Sequence, residues 1–185
     1  MKPSIIFMVF LILITISSCN DETILPKPKA MLRLEYERPS AQSIETDYFR
    51  FDSNKEAVVN QKSSRSIILE YPEMKATIFM SYRKVDDDIK NLISDAQKLS
   101  YEHAAKADGI RPRAYEDDLS KVYGAFFEVR GDAASQAQFY VTDSLNHFVT
   151  GSLYFKTRPN YDSIYPAAVY LQQDMGRIME SLRWK

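Results

Sequence analysis

Ser135-Gln136-Ala137-Gln138-Phe139-Tyr140-Val141-Thr142 and His147-Phe148-Val149-Thr150-Gly151-Ser152-Leu153-Tyr154-Phe155-Lys156 are joined by only Asp143-Ser144-Leu145-Asn146. In the first run Ala137, Phe139 and Val141 alternate with Gln136, Gln138, Tyr140 and Thr142. In the second, Val149, Gly151, Leu153 and Phe155 alternate with Phe148, Thr150, Ser152 and Tyr154. Period two is the spacing of a strand, and a four-residue turn allows only antiparallel pairing. Lys121 to Arg130 precedes them across a turn built on Gly131-Asp132, which makes a three-stranded meander with one face toward a core.

Upstream, strands are predicted over Met31–Tyr36, Tyr48–Phe51, Ser66–Tyr71 and Lys75–Tyr82, where Ala76, Ile78, Met80 and Tyr82 share one face. Residues 52–65 are rich in Ser, Asn, Lys and Gln and read as an exposed loop. Over 86–107 the period changes: Ile89, Leu92, Ile93, Ala96, Leu99, His103 and Ala107 fall on one helical stripe. Asp86 to Asp88 suit the positive end of that helix, and Gly109 and Pro112 close it. A last helix runs from Ser163 to Leu182, with Ile164, Ala168, Leu171, Met175, Ile178 and Leu182 inward and Asp162 or Ser163 as its cap. The fold class is α+β: an antiparallel sheet packed with two main helices. The closing Glu180-Ser181-Leu182-Arg183-Trp184 resembles the end of Mog1/PsbP-type sandwiches.

The N-terminus is read as targeting rather than fold. Lys2 precedes a twelve-residue apolar run, Ile5 to Ile16, too short for the roughly 20 residues a spanning helix needs. Ile16-Ser17-Ser18-Cys19 resembles the lipobox of bacterial lipoproteins, and Cys19 is the single cysteine of the 185-residue chain. The expected organisation is a signal peptide over 1–18, a lipidated Cys19 with a Pro-containing tether over 19–29, and one domain over 30–185. Acyl chains at about 0.8 kcal/mol per buried methylene hold such a protein on its membrane. Asn20, rather than aspartate, follows the cysteine, so the outer membrane is expected over the inner, with the domain facing the periplasm.

Composition narrows the function. Net charge is −1, with no basic excess for nucleic acid. Two histidines and one cysteine supply no credible zinc set, so neither metal nor cofactor is expected. His103 reads as a packed or edge histidine, and His147 as an exposed one at a strand start. Asp86-Asp87-Asp88 and Glu116-Asp117-Asp118 lack calcium-loop spacing, and the five glycines form no phosphate loop. No enzyme is indicated. The candidate partner surface is the polar and aromatic side of the meander: Gln136, Gln138, Tyr140, Thr142, Thr150, Ser152 and Tyr154. A helix lying over this face, with the polar groups bonded internally, is the alternative. A periplasmic small-molecule or glycan binder, or a hydrolase built on paired carboxylates, also stays open.

The stretch Gly131 to Ser144, with His147-Phe148 and Gly151-Ser152-Leu153-Tyr154-Phe155, closely resembles the GldD gliding-motility lipoproteins of Bacteroidetes-type bacteria. Pro159 to Ser163, Pro166-Ala167-Ala168, Tyr71-Pro72, Met74 to Ile78 and Asp95 to Leu99 extend the resemblance over most of 31–185. It departs over 38–65, where relatives carry a shorter or differently composed loop, often with cysteine. The resemblance implies a non-enzymatic envelope component serving gliding and type IX secretion, with other envelope proteins as partners. It brings no residue-level site.

Overall fold

In the computed structural model, residues 34–37, 39–102, 106–157 and 160–185 are described. Cys19, the signal peptide, the tether, His103 and the first part of the expected Met31–Tyr36 strand lie outside them. The described residues from Leu34 to Glu37 carry no regular structure.

Among the described residues, ten strands and two α-helices follow. They are β1 (Ala41–Glu45), β2 (Phe49–Asn54), β3 (Val58–Ser63), β4 (Ser66–Tyr71), β5 (Ala76–Lys84), α1 (Ile89–Tyr101), β6 (Gly109–Asp117), β7 (Val122–Arg130), β8 (Ser135–Thr142), β9 (His147–Phe155), α2 (Tyr161–Ser181) and β10 (Arg183–Trp184). Seven strands make one sheet in the order β3-β4-β5-β9-β8-β7-β6; β1, β2 and β10 make a second. Every pairing is antiparallel. This is the α+β class, with the meander of β7, β8 and β9 at the centre.

The two faces of the large sheet are covered differently. Ala76, Ile78, Met80, Phe126, Ala137, Phe139, Val141, Val149 and Leu153 point to one side and meet Leu171, Met175, Ile178 and Met179 of α2, with Phe49 and Phe51 of the small sheet. Full burial of each such side chain is worth about 1.5–3 kcal/mol, so this layer is the main core. On the other face α1 covers Phe127, Tyr140 and Phe148, with Leu92 buried among them. The covering layers therefore lie on opposite sides of one sheet, and β8 is buried along its whole length.

Four expectations change. Residues 52–65 are not a loop: β2 runs on to Asn54, and Asn54 turns the chain into β3 by accepting the Glu56 and Ala57 amides. β3 is an edge strand with mostly exposed side chains, so it lacks the alternation that marks a half-buried strand. Gly109 and Pro112 open a strand, β6, rather than only closing a helix; as the other edge, β6 tolerates a residue without an amide proton. The last helix starts two residues earlier, at Tyr161, after Asn160 rather than after Asp162 or Ser163, and Pro166 falls in its second turn. The expected stripe of α1 places Leu99 inward, yet Leu99 is 42% exposed while Ser100 is buried.

A buried polar group ties α2 to β4. Asp174 is 1% exposed; one carboxylate oxygen accepts the Tyr71 phenol, the other the Arg177 guanidinium at 2.7 Å. Burial first, and the Asp174 charge second, push the Tyr71 phenol well above its ordinary range.

Candidate functional site

The register of β8 and β9 sets out the face predicted for partner contact. Gln138 pairs with Ser152, Tyr140 with Thr150 and Thr142 with Phe148, so these six side chains share a side. Gln136 does not follow the alternation. The register shifts between Ser135 and Ala137, and the Gln136 amide turns inward to donate to the Gly131 and Ala133 carbonyls at 3.2 and 2.9 Å.

Helix α1 then divides the face. Gln136, Gln138, Tyr140 and Thr142 are buried, so these four offer no surface to a partner. The Ser100 hydroxyl donates to the Gln138 side-chain carbonyl at 3.0 Å, and Tyr140 stacks on Phe148 with centroids 5.6 Å apart. Thr142 donates to the His147 carbonyl at 2.6 Å and accepts the Ser144 amide, which makes it part of the hairpin turn. Thr150, Ser152 and Tyr154 stay half-exposed on β9, beyond the helix.

Beside them β5 adds side chains that period-two reading of a core strand passes over. Phe79 pairs with Ser152, Ser81 with Thr150 and Arg83 with Phe148, all on this face. Phe79 is 45% exposed and meets Tyr154 edge-on at 5.8 Å. A groove of about 220 Å³ separates this half of the sheet from α1, with Leu92, Ala96 and Leu99 on the helix wall and Ser81 and Thr150 on the strand wall. Arg83 and Asp95 stand on its two sides. The outward alternate residues Phe79, Ser81 and Arg83 are the sequence signal of this surface, opposite the inward set Ala76, Ile78, Met80 and Tyr82.

His147 differs from expectation too. It is half-buried: its ring lies parallel to Trp184 with centroids 5.1 Å apart, and its Nδ1 is 3.0 Å from the Tyr82 hydroxyl. Tyr82 in turn stacks on Tyr48 at 4.1 Å. Asp143 accepts the Leu145, Asn146 and His147 amides at 3.0, 2.8 and 2.8 Å. Burial opposes ionisation of Asp143, but these amides and the nearby imidazole outweigh it and hold the carboxyl below the usual carboxylate range.

Elsewhere a hollow of about 290 Å³ is lined by Tyr36, Glu37, Glu56, Glu73 and Tyr170. All three carboxylates are exposed, whereas acid–base work by a carboxyl pair relies on an environment that keeps one protonated. Asp174, buried, has both oxygens already engaged. Among the described residues no group of three or more His, Cys, Asp or Glu side chains is arranged to hold a metal ion. Among the same residues no helix is long and apolar enough to cross a membrane.

Comparison with curated proteins returned no match. The family model of the gliding motility lipoprotein GldD, in contrast, matches residues 21–184, which takes in every strand and helix described above. The chain belongs to the GldD family of gliding motility lipoproteins.

Proposed function

We propose that this lipoprotein is a non-enzymatic component of the cell envelope that supports gliding and type IX secretion by binding another envelope protein. Its anchor in this reading is the acylated Cys19, which holds the domain at the periplasmic side of the outer membrane. The observation that carries the contact role is the uncovered half of the sheet beside α1, where Phe79, Thr150, Ser152 and Tyr154 remain accessible. Aromatic and hydroxyl groups on a rigid strand platform lose little entropy on binding, which suits a protein contact. The lipobox supports the anchor, and the family membership supports the process.

Two experiments test this reading. A strain lacking the gene, carrying Phe79→Asp in place of wild type, is expected to make normal amounts of protein yet to lose spreading and surface-protein secretion; full activity would refute the contact role. Metabolic labelling with a fatty-acid analogue is expected to mark wild-type protein and not Cys19→Ala. Absence of label in wild type would refute the anchor.

A further inference from the structure

The uncovered half of the sheet has a width and a charge pattern that specify an occupant. Helix α1 packs over β8. Packed helices lie about 8–10 Å apart, which is two strand spacings of about 4.8 Å. Two strands along from β8, past β9, is β5. A second helix beside α1 would thus have its axis over Phe79, Ser81 and Arg83, which are the exposed outward residues of β5. The small side chain of Ala96, at the groove, permits the close approach.

The backbone argues for a helix over a strand. β5 is paired on both sides, by β4 and β9, and β9 by β5 and β8. Neither offers free amides or carbonyls to an extended segment lying across them. A helix satisfies its own backbone and needs only a side-chain face to sit on. From Arg83 to Phe79, the exposed outward stretch of β5, is four strand residues, or about 13 Å, a length that about nine helical residues span.

The charges give the direction. Arg83 and Asp95 face the groove from opposite sides, and among the described residues neither is engaged in an ion pair. Leu92, Ala96 and Leu99 line the groove on the same wall as Asp95, and Phe79 is exposed on the same face of β5 as Arg83. We infer that the groove seats one amphipathic helix of a partner protein, about two to three turns long and alongside α1, with an acidic residue toward Arg83 and a basic residue toward Asp95. Its apolar stripe, at three- and four-residue spacing, covers Leu99 and Phe79. This rests on the contact role proposed above and names the partner's chemistry.

The test uses the full lipidated protein in living cells, with the photocrosslinking residue p-benzoylphenylalanine at Thr150 and, as a control on α2, at Gln173. The expected Thr150 adduct maps by mass spectrometry to one envelope protein, within a segment of helical apolar spacing that is acidic at one end. Gln173 gives no such adduct. Arg83→Glu is expected to lower the adduct yield about fivefold, and reversing the acidic residue in the mapped segment to restore it. Several outcomes overturn the inference: no adduct at Thr150, an adduct to lipid or to a second copy of this chain, an adduct to a segment without helical spacing, or a yield indifferent to Arg83→Glu. Loss of spreading in Phe79→Asp together with an adduct to a loop or strand would remove the helix and leave the contact role. Normal spreading in Phe79→Asp would remove both.

Discussion

Gly151 is a place in the core where a single added carbon meets a side chain that could be trimmed to receive it. It sits between two strand partners, Phe139 on β8 and Met80 on β5, with the Phe139 ring over it. A β-carbon built there would lie 2.2 Å from Phe139 Cε1, 2.6 Å from Cζ and 2.8 Å from Cδ1. Carbon atoms in contact prefer about 3.5–4.0 Å, so the ring must move by more than an ångström inside a packed layer. Overpacking of this kind costs about 1–3 kcal/mol, which places Gly151→Ala near 2 kcal/mol and its melting temperature about 6 °C below wild type. Phe139→Leu leaves a cavity and costs about 1.5 kcal/mol alone, yet it also removes the clashing ring carbons. The double variant should therefore be more stable than the sum of the singles by about 1–2 kcal/mol. Urea titration of residues 30–185, followed by tryptophan fluorescence, measures all three. Gly124→Ala is the contrast: its added carbon would meet the Tyr140 carbonyl oxygen at 1.9 Å, and no side-chain truncation relieves a backbone clash. A Gly151→Ala variant within 0.5 kcal/mol of wild type, or strictly additive with Phe139→Leu, would refute this account of the core.

Asp174→Ala leaves the buried Tyr71 phenol without its acceptor and should cost about 3 kcal/mol by urea denaturation, while Asp174→Asn, which still accepts from Tyr71, should cost less. Asp143 has its folded-state pKa held below the unfolded value, so it contributes stability above about pH 4 and loses it as the pH falls through the folded-state value. Asp143→Asn is accordingly expected to flatten stability against pH below about pH 4, measured by urea titrations at stepped pH. Deleting Arg183–Lys185 removes β10, the Trp184 stack on His147 and the bond from Trp184 to the Lys121 carbonyl; a loss of about 3 kcal/mol is expected in urea titrations followed by circular dichroism, since the deletion takes away the single tryptophan.

Much of the fold is legible in strands that bury one face. Ala76, Ile78, Met80 and Tyr82 alternate with Phe79, Ser81 and Arg83, which face water; in β8 both faces are buried, and Ala137, Phe139 and Val141 still alternate with Gln138 and Thr142 because α1 and the hairpin turn satisfy those polar groups. β3 and β6 escaped because an edge strand with exposed side chains carries no such imprint, and in β6 the pair Gly109 and Pro112 is also a sound helix terminator. Alternation placed the candidate face on the correct side of β8 and β9, but which half of it α1 covers is decided by the long-range contact of Ser100 with Gln138. No local pattern encodes that contact. Nor does any local pattern join Tyr48, Tyr82, His147 and Trp184, which come from four separated stretches of chain.

The final strand has a bearing on when the domain can close. Arg183 and Trp184 complete the small sheet by pairing with Arg50 and Phe49, and the Lys185 ammonium bonds the Thr46 carbonyl and the Glu45 carboxylate. The helix just before them supplies Leu171, Met175 and Ile178 to the main core. A chain made from its N-terminus thus lacks one wall of its core until its last residues are present. Early closure is disfavoured, because the first strands lack α2 to bury against, and arrival of the C-terminus becomes the event that lets the domain close.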